Sequence, residues 1–597
     1  MYKHRICYRV NYIALPMLPD GVTAQSTFKL LLSFPNSSIT VSRLSYVLHQ
    51  YNIPFQVILQ DHINIVIEFS FWRTVVSMIE DHNWEVMESS TPLFILELLD
   101  YFEHQKTQVT WEDIREKVTY DIFESLHPYQ QTLVKLAVER RNLYIADEMG
   151  TGKTFSSLAI MKYWELPTVI ITMKNIMYNW VDEMQKRIGL IEKKHVFVLK
   201  SSASLLKFFE TEKEHLKVVV IPFGILKNAE VRAKLQGWAK MMIADESHLV
   251  KNETSQRTQA TLDLSKHMEV RLVLSGSPFE KSKEIYSQLE ILFPSQVPKF
   301  FHYDHRKDIS SREDFASRYC KPRRVLYRGV GYKWEFKGND NPDELKVLVS
   351  QFMVRRLKVD VCKQLPAKTR HRILLNPVTG SDQGKIKDLL KQMTSHIQVI
   401  DRSKYTEAVE LTCELKLPEV IRYLHEHVSK KAIHEKIVIF FHHMTMKNAL
   451  MEWCNEKEIS YIMIDGSIGA KQRHELQTIF QAEESCRIAL LSIKASGTGT
   501  NFTAASQVYM TEVLPTAADM FQAEDRCHRI GQKNPVDIHY LVLPESVDET
   551  HVSMIIRKYE TSSTIMDYES QTVTISRKRK LESSSLEQFT TISDHEE

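Results

Sequence analysis

The segment around residue 150 has the residue types of a phosphate-binding loop. Residues 146–154 read ADEMGTGKT, follow the apolar run LYI and precede a helical pattern. Glycines allow successive backbone N–H groups to wrap a phosphate, and the N-terminus of the following helix adds a favourable dipole. Lys153 would then reach the β- and γ-phosphates, and the Thr154 hydroxyl would bind Mg²⁺. The segment therefore predicts a nucleotide-phosphate site.

The loop departs from the strict pattern GxxxxGK[ST] at one position, because Asp147 stands where the first glycine is expected. The alternative interpretation is a glycine turn with a coincidental Lys-Thr pair. The placement between a strand and a helix favours the phosphate loop. We therefore assign ATP binding to Asp147, Glu148, Met149, Gly150, Thr151, Gly152, Lys153 and Thr154.

A pair of carboxylates ends a second apolar run. Asp245 and Glu246 follow KMMIA and open the tetrapeptide DESH. A carboxylate at a strand end can hold Mg²⁺, and a second one beside it can orient and deprotonate the attacking water. We assign Asp245 and Thr154 to the metal and Glu246 to the base, with Lys153 completing the catalytic group. Taken alone, DESH is also consistent with a solvated loop, but the phosphate loop upstream favours the catalytic interpretation.

Gln130 lies a short distance before the phosphate loop and is a candidate for reading adenine. A carboxamide can donate a hydrogen bond to N7 of adenine and accept one from the exocyclic amine. A solvated glutamine at a helix start is the alternative.

Two later segments could complete the site. In QAEDRCHRIGQ, the spacing of Arg526 and Arg529 predicts neighbours on one helical face. There they could reach across a cleft to the γ-phosphate and stabilise transition-state charge, unless they form a basic surface face. The segment SIKASGTGTN follows the run RIALL and could contact a nucleic-acid phosphate, unless it is an ordinary strand-to-helix turn. We assign the two arginines to catalysis and include Gln522 and Gly497 among the ATP-binding residues.

The elements that must position these motifs alternate between strand and helix in two stretches, 121–278 and 416–566. The predicted strands are the apolar runs NLYI, PTVIITM, KVVVIPF, KMMIA and VRLVL in the first stretch and KIVIFF, YIMI, RIALL, QVYM and DIHYLV in the second. Alternating elements predict parallel sheets with right-handed crossovers, and hence an α/β fold with two lobes. Residues 279–415 are interpreted as a helical and irregular insertion with a linker. Residues 1–120 predict a small α+β accessory region, and residues 567–597 predict a disordered tail with basic and acidic ends.

Within the accessory region we predict a strand at 28–34, a helix at 42–51, a hairpin at 55–69 and a second helix at 71–82.

Composition excludes several classes of protein. The formal net charge is +2, from 77 basic and 75 acidic residues, so any nucleic-acid groove must be local. The seven cysteines include no CxxC pair, which disfavours a zinc module and favours a reducing compartment. No stretch approaches the ~18 uncharged apolar residues of a membrane span, so no membrane association is expected.

The order of the motifs resembles that of the superfamily 2 helicases, in their Swi/Snf branch. This resemblance covers roughly residues 126–566 and includes the branch markers DESH, QAEDRCHRIGQ and MVRRLKVDVCKQLPAKTR. It implies two RecA-like lobes, the cofactors ATP and Mg²⁺, and a DNA-stimulated ATP hydrolase. Ser275 and Ser277 stand in LSGSP where threonine is usual in the branch, but their hydroxyl groups keep the expected chemistry.

Within the branch, the chain is most similar to the HARP-type annealing helicases of the SMARCAL group, in segments such as DESHLVKN, FASRYCKPRRV and HYLVLPESVDE. This resemblance implies a monomeric, nuclear DNA translocase that acts on forked or branched DNA and at single/double-strand junctions. It would rewind strands held by replication protein A, and residues 26–100 would be a HARP-like module. The basic run SRKRK resembles a nuclear-localisation signal, with a solvated basic tail as the alternative.

Three alternatives differ from this hypothesis. A nucleosome remodeler could use the same motor, although no chromodomain, bromodomain or SANT-like segment accompanies it. A non-catalytic DNA-binding scaffold is disfavoured because every expected catalytic group is present. The annealing helicase that carries a zinc finger and an HNH nuclease is disfavoured because these 597 residues contain neither cluster.

Overall fold

The computed structural model divides the chain into two compact units. The first comprises Met1–Gln364 and Glu560–Gln571, and the second comprises Leu365–Tyr559 and Thr572–Glu597. The structure describes residues 5–12, 28–34, 41–53, 55–59, 63–68, 71–81, 85–86, 93–174, 176–190, 194–199, 215–276, 278–279, 282–297, 311–320, 322–327, 331–336, 340–362, 365–376, 384–385, 388, 402–428, 435–494, 501–529, 531–566 and 576–578.

The accessory region is built around a five-stranded sheet with the order β3-β4-β2-β1-β5. Its strands are β1 (Arg5–Tyr12), β2 (Phe28–Phe34), β3 (Phe55–Leu59), β4 (Ile63–Glu68) and β5 (Glu85–Val86), and its helices are α1 (Val41–Gln50), α2 (Trp72–Asp81) and α3 (Leu93–His104). Both predicted helices, the predicted strand and the predicted hairpin are confirmed. The sequence analysis missed β1, which pairs antiparallel with β2 and parallel with β5.

A seven-stranded parallel sheet forms the ATPase part of the first unit, in the order β14-β6-β11-β10-β7-β9-β8. The strands predicted from apolar runs are β6 (Asn142–Ile145), β7 (Thr168–Thr172), β9 (Val218–Pro222), β10 (Met241–Ala244) and β11 (Val270–Leu274); β8 (Val196–Val198) is additional. Every residue of β7 and β10 is buried. Continuous burial explains the apolar runs, because helices cover both faces of a parallel sheet.

Eight helices accompany this sheet among the described residues. They are α4 (Trp111–Val118), α5 (Tyr120–Glu124), α6 (Pro128–Arg140), α7 (Lys153–Trp164), α8 (Met177–Ile188), α9 (Ala229–Trp238), α10 (Gln256–Ser265) and α11 (Lys283–Leu292).

The stretch interpreted as an insertion contains ordered elements. They are α12 (Ser311–Tyr319), the antiparallel hairpin β12 (Pro322–Tyr327) and β13 (Gly331–Phe336), α13 (Pro342–Ser350), β14 (Met353–Val354) and α14 (Lys358–Val361). The structure differs here from the expected lobe boundary at residue 278, because β14 pairs with β6 and belongs to the first sheet.

The accessory region and the first parallel sheet share one hydrophobic core. Phe102 of α3 lies 4.8 Å, between ring centroids, from Phe293 and 6.3 Å from Phe352. All three rings are nearly inaccessible to solvent, and buried residues from both sheets belong to the same cluster. The described part of the accessory region is therefore packed into the first unit through this shared core.

The second unit contains another seven-stranded parallel sheet, in the order β17-β18-β16-β19-β20-β15-β21. The five predicted strands are confirmed as β16 (Lys436–Phe441), β17 (Tyr461–Ile464), β18 (Ile488–Ser492), β19 (Ala505–Met510) and β20 (Val536–Val542). The helices of this part of the chain are α15 (Arg402–Val428), α16 (Met444–Glu456), α17 (Ala470–Ala482), α18 (Ala517–Glu524) and α19 (Val547–Met566).

Two strands of this sheet lie outside the predicted 416–566 lobe. β15 (Lys368–Leu374) pairs in parallel with β20, and β21 (Ser576–Lys578) pairs in parallel with β15. Three residues of the tail expected to be disordered therefore form a short strand. Among the residues that the structure describes, no helix has the length and apolar character needed to cross a membrane.

Candidate functional site

The predicted phosphate loop connects β6 to α7 at the carboxyl edge of the first parallel sheet. Gly150 and Gly152 adopt φ angles of +79° and +81°, which side chains with a Cβ rarely adopt. A Cβ on Gly152 would lie only 2.4 Å from Nε2 of Gln130. Both the backbone conformation and the close approach explain why the loop needs glycine here.

Lys153 begins α7, and its side chain folds back over the loop. Its Nζ donates hydrogen bonds to the carbonyl oxygens of Asp147 and Glu148, at 2.7 and 3.0 Å. Enclosure by protein lowers the pKa of Lys153, while the nearby carboxylates of Glu246, Asp147 and Asp245 act in the opposite direction. The structure thus brings together the lysine and the two DESH carboxylates that the sequence predicted.

Asp245 directly follows β10, beside the end of β7. Its Oδ2 accepts hydrogen bonds from Thr172 Oγ1 at 3.0 Å and Trp180 Nε1 at 2.9 Å, and its Oδ1 accepts one from the Glu246 N–H. Desolvation and the charge of Glu246 raise the pKa of Asp245 to about 6. The ionised carboxylate is therefore destabilised in the folded protein, and a bound cation would stabilise it.

Glu246 has a φ of +54°, a left-handed conformation that is strained for a residue with a side chain. Its Oε2 lies 3.2 Å from Nδ1 of His248, and the same nitrogen lies 3.4 Å from Oγ of Ser275. The hydroxyl of Ser275, in place of the usual threonine, thus contacts the DESH motif. Ser277 lies outside the described residues.

Gly276, from the same LSGSP motif, lies against the phosphate loop. A Cβ at Gly276 would meet Cγ of Met149 at 2.3 Å. The contact explains a glycine at this position and places the partly buried Met149 side chain between the two motifs.

Gln130 is buried, with 2% of its surface exposed, and its carboxamide is bound by the protein. Its Oε1 accepts the His127 N–H, and its Nε2 donates to the carbonyl oxygens of Thr151 and Gly152, each at 3.3 Å. The residue therefore lies beside the phosphate loop, and its role in reading adenine stays a prediction. In this conformation, adenine would have to compete with these contacts for the carboxamide.

An ion pair at the base of the loop was missed by the sequence analysis. Asp147 is 1% exposed, and its two oxygens accept hydrogen bonds from Nε and Nη2 of Arg356, at 3.0 and 2.5 Å. The N–H of Lys358 donates to Oε2 of Glu148 at 2.7 Å. Both acidic side chains of the loop thus contact the MVRRLKVD segment, which we had used only as a marker of family resemblance.

The arginines of the second unit do not share a helical face, which corrects the prediction. Helix α18 ends at Glu524, and Arg526 and Arg529 lie in the turns that follow. Arg526 is 8% exposed, and its carbonyl accepts the N–H of Phe502 at 2.9 Å. Gln522 lies on α18 and is 6% exposed. Gly497 lies outside the described residues.

The helical spacing did not predict the structure of this segment correctly, because partners from several other elements bind its polar side chains. Glu524 is completely buried and accepts a bidentate pair from Arg370, at 2.8 and 2.7 Å. Lys368 and the Tyr540 hydroxyl also contact its carboxylate, at 3.2 and 2.7 Å. These partners outweigh burial and lower the pKa of Glu524 to about 2. Glu524 therefore joins the motif to β15 and β20.

A second buried cluster lies at Cys413, His443 and Glu512, whose potential ligand atoms are within 4.8 Å of one another. Glu512 accepts the backbone N–H groups of His442 and His443, and its other oxygen contacts His443 Nδ1. This contact and the charge of Lys416 lower the pKa of Glu512 to about 2 despite its burial. Because a lysine charge already stabilises this carboxylate, we interpret the cluster as structural.

A phosphate loop and an Asp-Glu pair at neighbouring strand ends of a parallel sheet define a nucleotide hydrolase of the RecA-like class. The model of the SNF2-related domain matches residues 104–417, and that of the helicase conserved C-terminal domain matches residues 416–531. The chain belongs to the SNF2-related family and is a helicase-like ATPase. The family resemblance recognised from the motifs is thereby confirmed, as is the α/β fold with two parallel-sheet lobes.

Curated relatives of this chain are of two kinds. The human DNA annealing helicase and endonuclease ZRANB3 is 30% identical over 455 residues, covering 74% of this chain and 40% of that protein. The SWI/SNF-related matrix-associated actin-dependent regulator of chromatin subfamily A-like protein 1 of Xenopus tropicalis is 30% identical over 473 residues, covering 76% and 46%. The chain thus spans less than half the length of these relatives, and identity does not separate the two kinds.

Among solved structures, the chain is similar to the Sulfolobus solfataricus SWI2/SNF2 ATPase core in complex with dsDNA. The TM-score is 0.34 at 20% identity, covering 74% of this chain and 92% of the other. The Sulfolobus solfataricus SWI2/SNF2 ATPase core domain gives a TM-score of 0.34 at 22% identity, covering 75% of this chain and 90% of the other.

Proposed function

We propose that this chain is a DNA-stimulated ATP hydrolase that moves on forked or branched DNA and anneals separated strands. The observation that carries the ATPase part is the grouping of Lys153, Asp245 and Glu246 at the carboxyl edge of one parallel sheet. The annealing part is supported by the name of one relative that is 30% identical to the chain. We extend the proposal to replication fork remodelling and repair in the nucleus on the basis of the motif resemblance to the annealing helicases.

The residues present fit a magnesium nucleotide. The raised pKa of Asp245 shows that its negative charge lacks full compensation, which is the environment a divalent cation stabilises. The Lys153 amine donates only to neutral backbone carbonyls of the loop, and phosphate oxygens are stronger acceptors. Asp245 and Thr154 would hold Mg²⁺, and Lys153 would hold the phosphates.

The chain's own groups then have separate roles. Bound Mg²⁺ would neutralise charge on the phosphates during transfer to water. Glu246 would orient the attacking water and accept its proton, and Nδ1 of His248 lies 3.2 Å from its Oε2. Arg526 and Arg529 remain candidates for stabilising the γ-phosphate charge, and Gln130 remains a candidate for adenine.

DNA would be bound mainly through its phosphates, since the small net charge requires a local basic surface. Replication protein A is a proposed partner on the basis of the annealing-helicase resemblance. The word chromatin in a relative's name keeps nucleosomal DNA as the second candidate substrate.

The test is ATP hydrolysis by the full chain on single-stranded, duplex, forked and nucleosomal DNA at one salt concentration. Strongest stimulation by the fork would support annealing and fork remodelling, and a strand-rewinding assay would follow. Equal or greater stimulation by nucleosomes would indicate that nucleosomal DNA is the substrate. No stimulation by any DNA would refute the motor.

Two variants connect that activity to the site. Lys153→Ala and Glu246→Gln should each lower kcat by at least about 100-fold without changing the folded state, because each removes a group that acts on the reacting phosphate or water. Circular dichroism would verify folding. Wild-type turnover in either variant would contradict the assignment.

A further inference from the structure

The carboxylate of Asp147 lies between two cations that could compete for it. Arg356 binds both of its oxygens, at 3.0 and 2.5 Å, while the ammonium of Lys153 is bound at 2.7 Å to the backbone carbonyl of Asp147 itself. The side chain of Asp147 is 2% exposed, so water cannot stabilise its charge. Lys153 is a second cation close enough for the charge of Asp147 to raise the pKa of its ammonium, so it could pair with this carboxylate in the absence of Arg356.

Arg356 also reaches the far end of the phosphate loop. It donates to the carbonyl oxygen of Tyr129, and its guanidinium lies 5.0 Å from the centroid of the Tyr129 ring. The Tyr129 hydroxyl in turn donates to the carbonyl oxygen of Thr151 at 2.7 Å. One guanidinium thus supports the first residues of the loop directly and the last ones through a tyrosine.

Backbone hydrogen bonds align the segment that carries Arg356 with the start of the loop. The Ala146 N–H donates to the carbonyl oxygen of Val354 at 2.7 Å, and the Glu148 N–H donates to that of Arg356 at 2.9 Å. These bonds fix the guanidinium relative to Asp147, so little conformational freedom is lost in forming the ion pair.

We propose that Arg356 is a positioning residue that neutralises Asp147 and so keeps the Lys153 ammonium available for nucleotide phosphates. The inference rests on the proposed use of Lys153 in ATP binding. With Arg356 removed, the Asp147 carboxylate captures the ammonium, and ATP must break that new pair in order to bind. The loss therefore falls on nucleotide affinity rather than on the chemical step at saturating ATP.

The test compares Arg356→Gln with the double variant Asp147→Asn/Arg356→Gln in the full chain. We expect Arg356→Gln to raise KM for ATP by about 100-fold while kcat at saturating ATP changes less than about threefold, because breaking a buried pair leaves a strong uncompensated charge. The double variant should lower KM at least about tenfold from that of Arg356→Gln, because a neutral asparagine holds an ammonium far less strongly than a carboxylate does. Fluorescent ATP-analogue binding would give the same order of affinities.

A matched control is Arg318→Gln, which breaks another buried bidentate pair in the first unit. Arg318 of α12 binds Glu344 of α13 at 2.6 and 2.5 Å, and the Glu344 side chain is 7% exposed. This variant should lower the melting temperature without raising KM for ATP. If Arg318→Gln raised KM as much as Arg356→Gln does, the effect would be due to general destabilisation, and the proposal would be overturned.

Other outcomes are equally decisive. A wild-type KM in folded Arg356→Gln, or a double variant that stays as weak as the single one, would overturn the proposal. Should Arg356→Gln fail to fold, Asp147→Asn is compared with the double variant. Nearly equal KM values support the proposal, and a large rise in the double variant refutes it. A wild-type chain with no ATPase activity would instead refute the proposed function.

Discussion

Replacing Asp245 with asparagine should abolish ATP hydrolysis and at the same time stabilise the nucleotide-free protein. Its pKa is raised from the usual 3.8 to about 6 in the folded state. The native state therefore binds the proton more tightly than the unfolded chain, and the ionised carboxylate costs stability as the pH rises through about 6. Asparagine removes this charge but also the chemistry that needs it.

The size of the effect follows from two opposing contributions. A shift of about 2 pKa units corresponds to at most ~3 kcal/mol, and residual solvent contact lowers that figure. Asparagine keeps an acceptor for Thr172 and Trp180, but it loses the hydrogen bond that Oδ1 accepts from the Glu246 N–H at 3.0 Å. That loss costs ~1 kcal/mol. We expect a net gain of ~1 kcal/mol at pH 7.5 that falls to about zero by pH 5, because the electrostatic contribution roughly halves over this range while the lost hydrogen bond costs the same.

A second buried carboxylate supplies a control of opposite sign. The pKa of Glu524 is lowered from 4.5 to about 2, so its ionised form contributes stability above its ordinary pKa that is lost as the pH falls through about 2. Glu524→Gln at pH 7.5 should therefore destabilise the second unit by ~3 kcal/mol.

Native-state hydrogen exchange in EDTA without nucleotide separates the two units. The protection of peptides covering β10 measures the effect of Asp245→Asn, and that of peptides covering β20 measures the effect of Glu524→Gln. Increased protection of β10 and decreased protection of β20 are expected, with an ATPase assay confirming the loss of turnover in Asp245→Asn. Destabilisation by Asp245→Asn as large as that of Glu524→Gln would refute the electrostatic reasoning.

Two further substitutions test packing at the site and in the second unit. Gly276→Ala places a methyl group 2.3 Å from Met149 Cγ, so it should displace the phosphate loop and lower kcat/KM by at least about 10-fold. Gly237→Ala, where an added Cβ meets nothing within 4 Å, should leave steady-state kinetics unchanged. Lys416→Met removes the partner 2.9 Å from buried Asp548 and should cost ~3–5 kcal/mol by urea denaturation. Adding Asp548→Asn should recover much of that loss, and no recovery would contradict a charge-based explanation.

The sequence predicted the strands that carry the site because each is a short apolar run buried on both faces. The phosphate loop and the DESH pair follow such runs directly, so the carboxyl edge of a parallel sheet brings them together. The strand β14 has only two residues, and its place beside β6 depends on pairing with a distant part of the chain. Local apolar patterning contains no signal for such a strand.

The pairing of Asp147 with Arg356 was unpredictable for a related reason. The two residues are separated by 209 positions, and neither lies in a spacing that indicates an ion pair. The end of α18 at Glu524 was missed because Glu524 itself is bound by Arg370 of β15 and Tyr540 of β20. The spacing of the two arginines predicted one helical face, and it contains no signal that Glu524 beside them is fully buried.

The aromatic contact of Phe102 with Phe293 and Phe352 has a consequence for how this protein could have been assembled in evolution. The match to the SNF2-related domain begins at residue 104, but a chain starting there would lose Phe102 and expose two rings that are now buried. Each newly exposed ring costs ~1.5–3 kcal/mol. Another domain could therefore replace the accessory region only if it also covered Phe293 and Phe352 with a matching apolar surface.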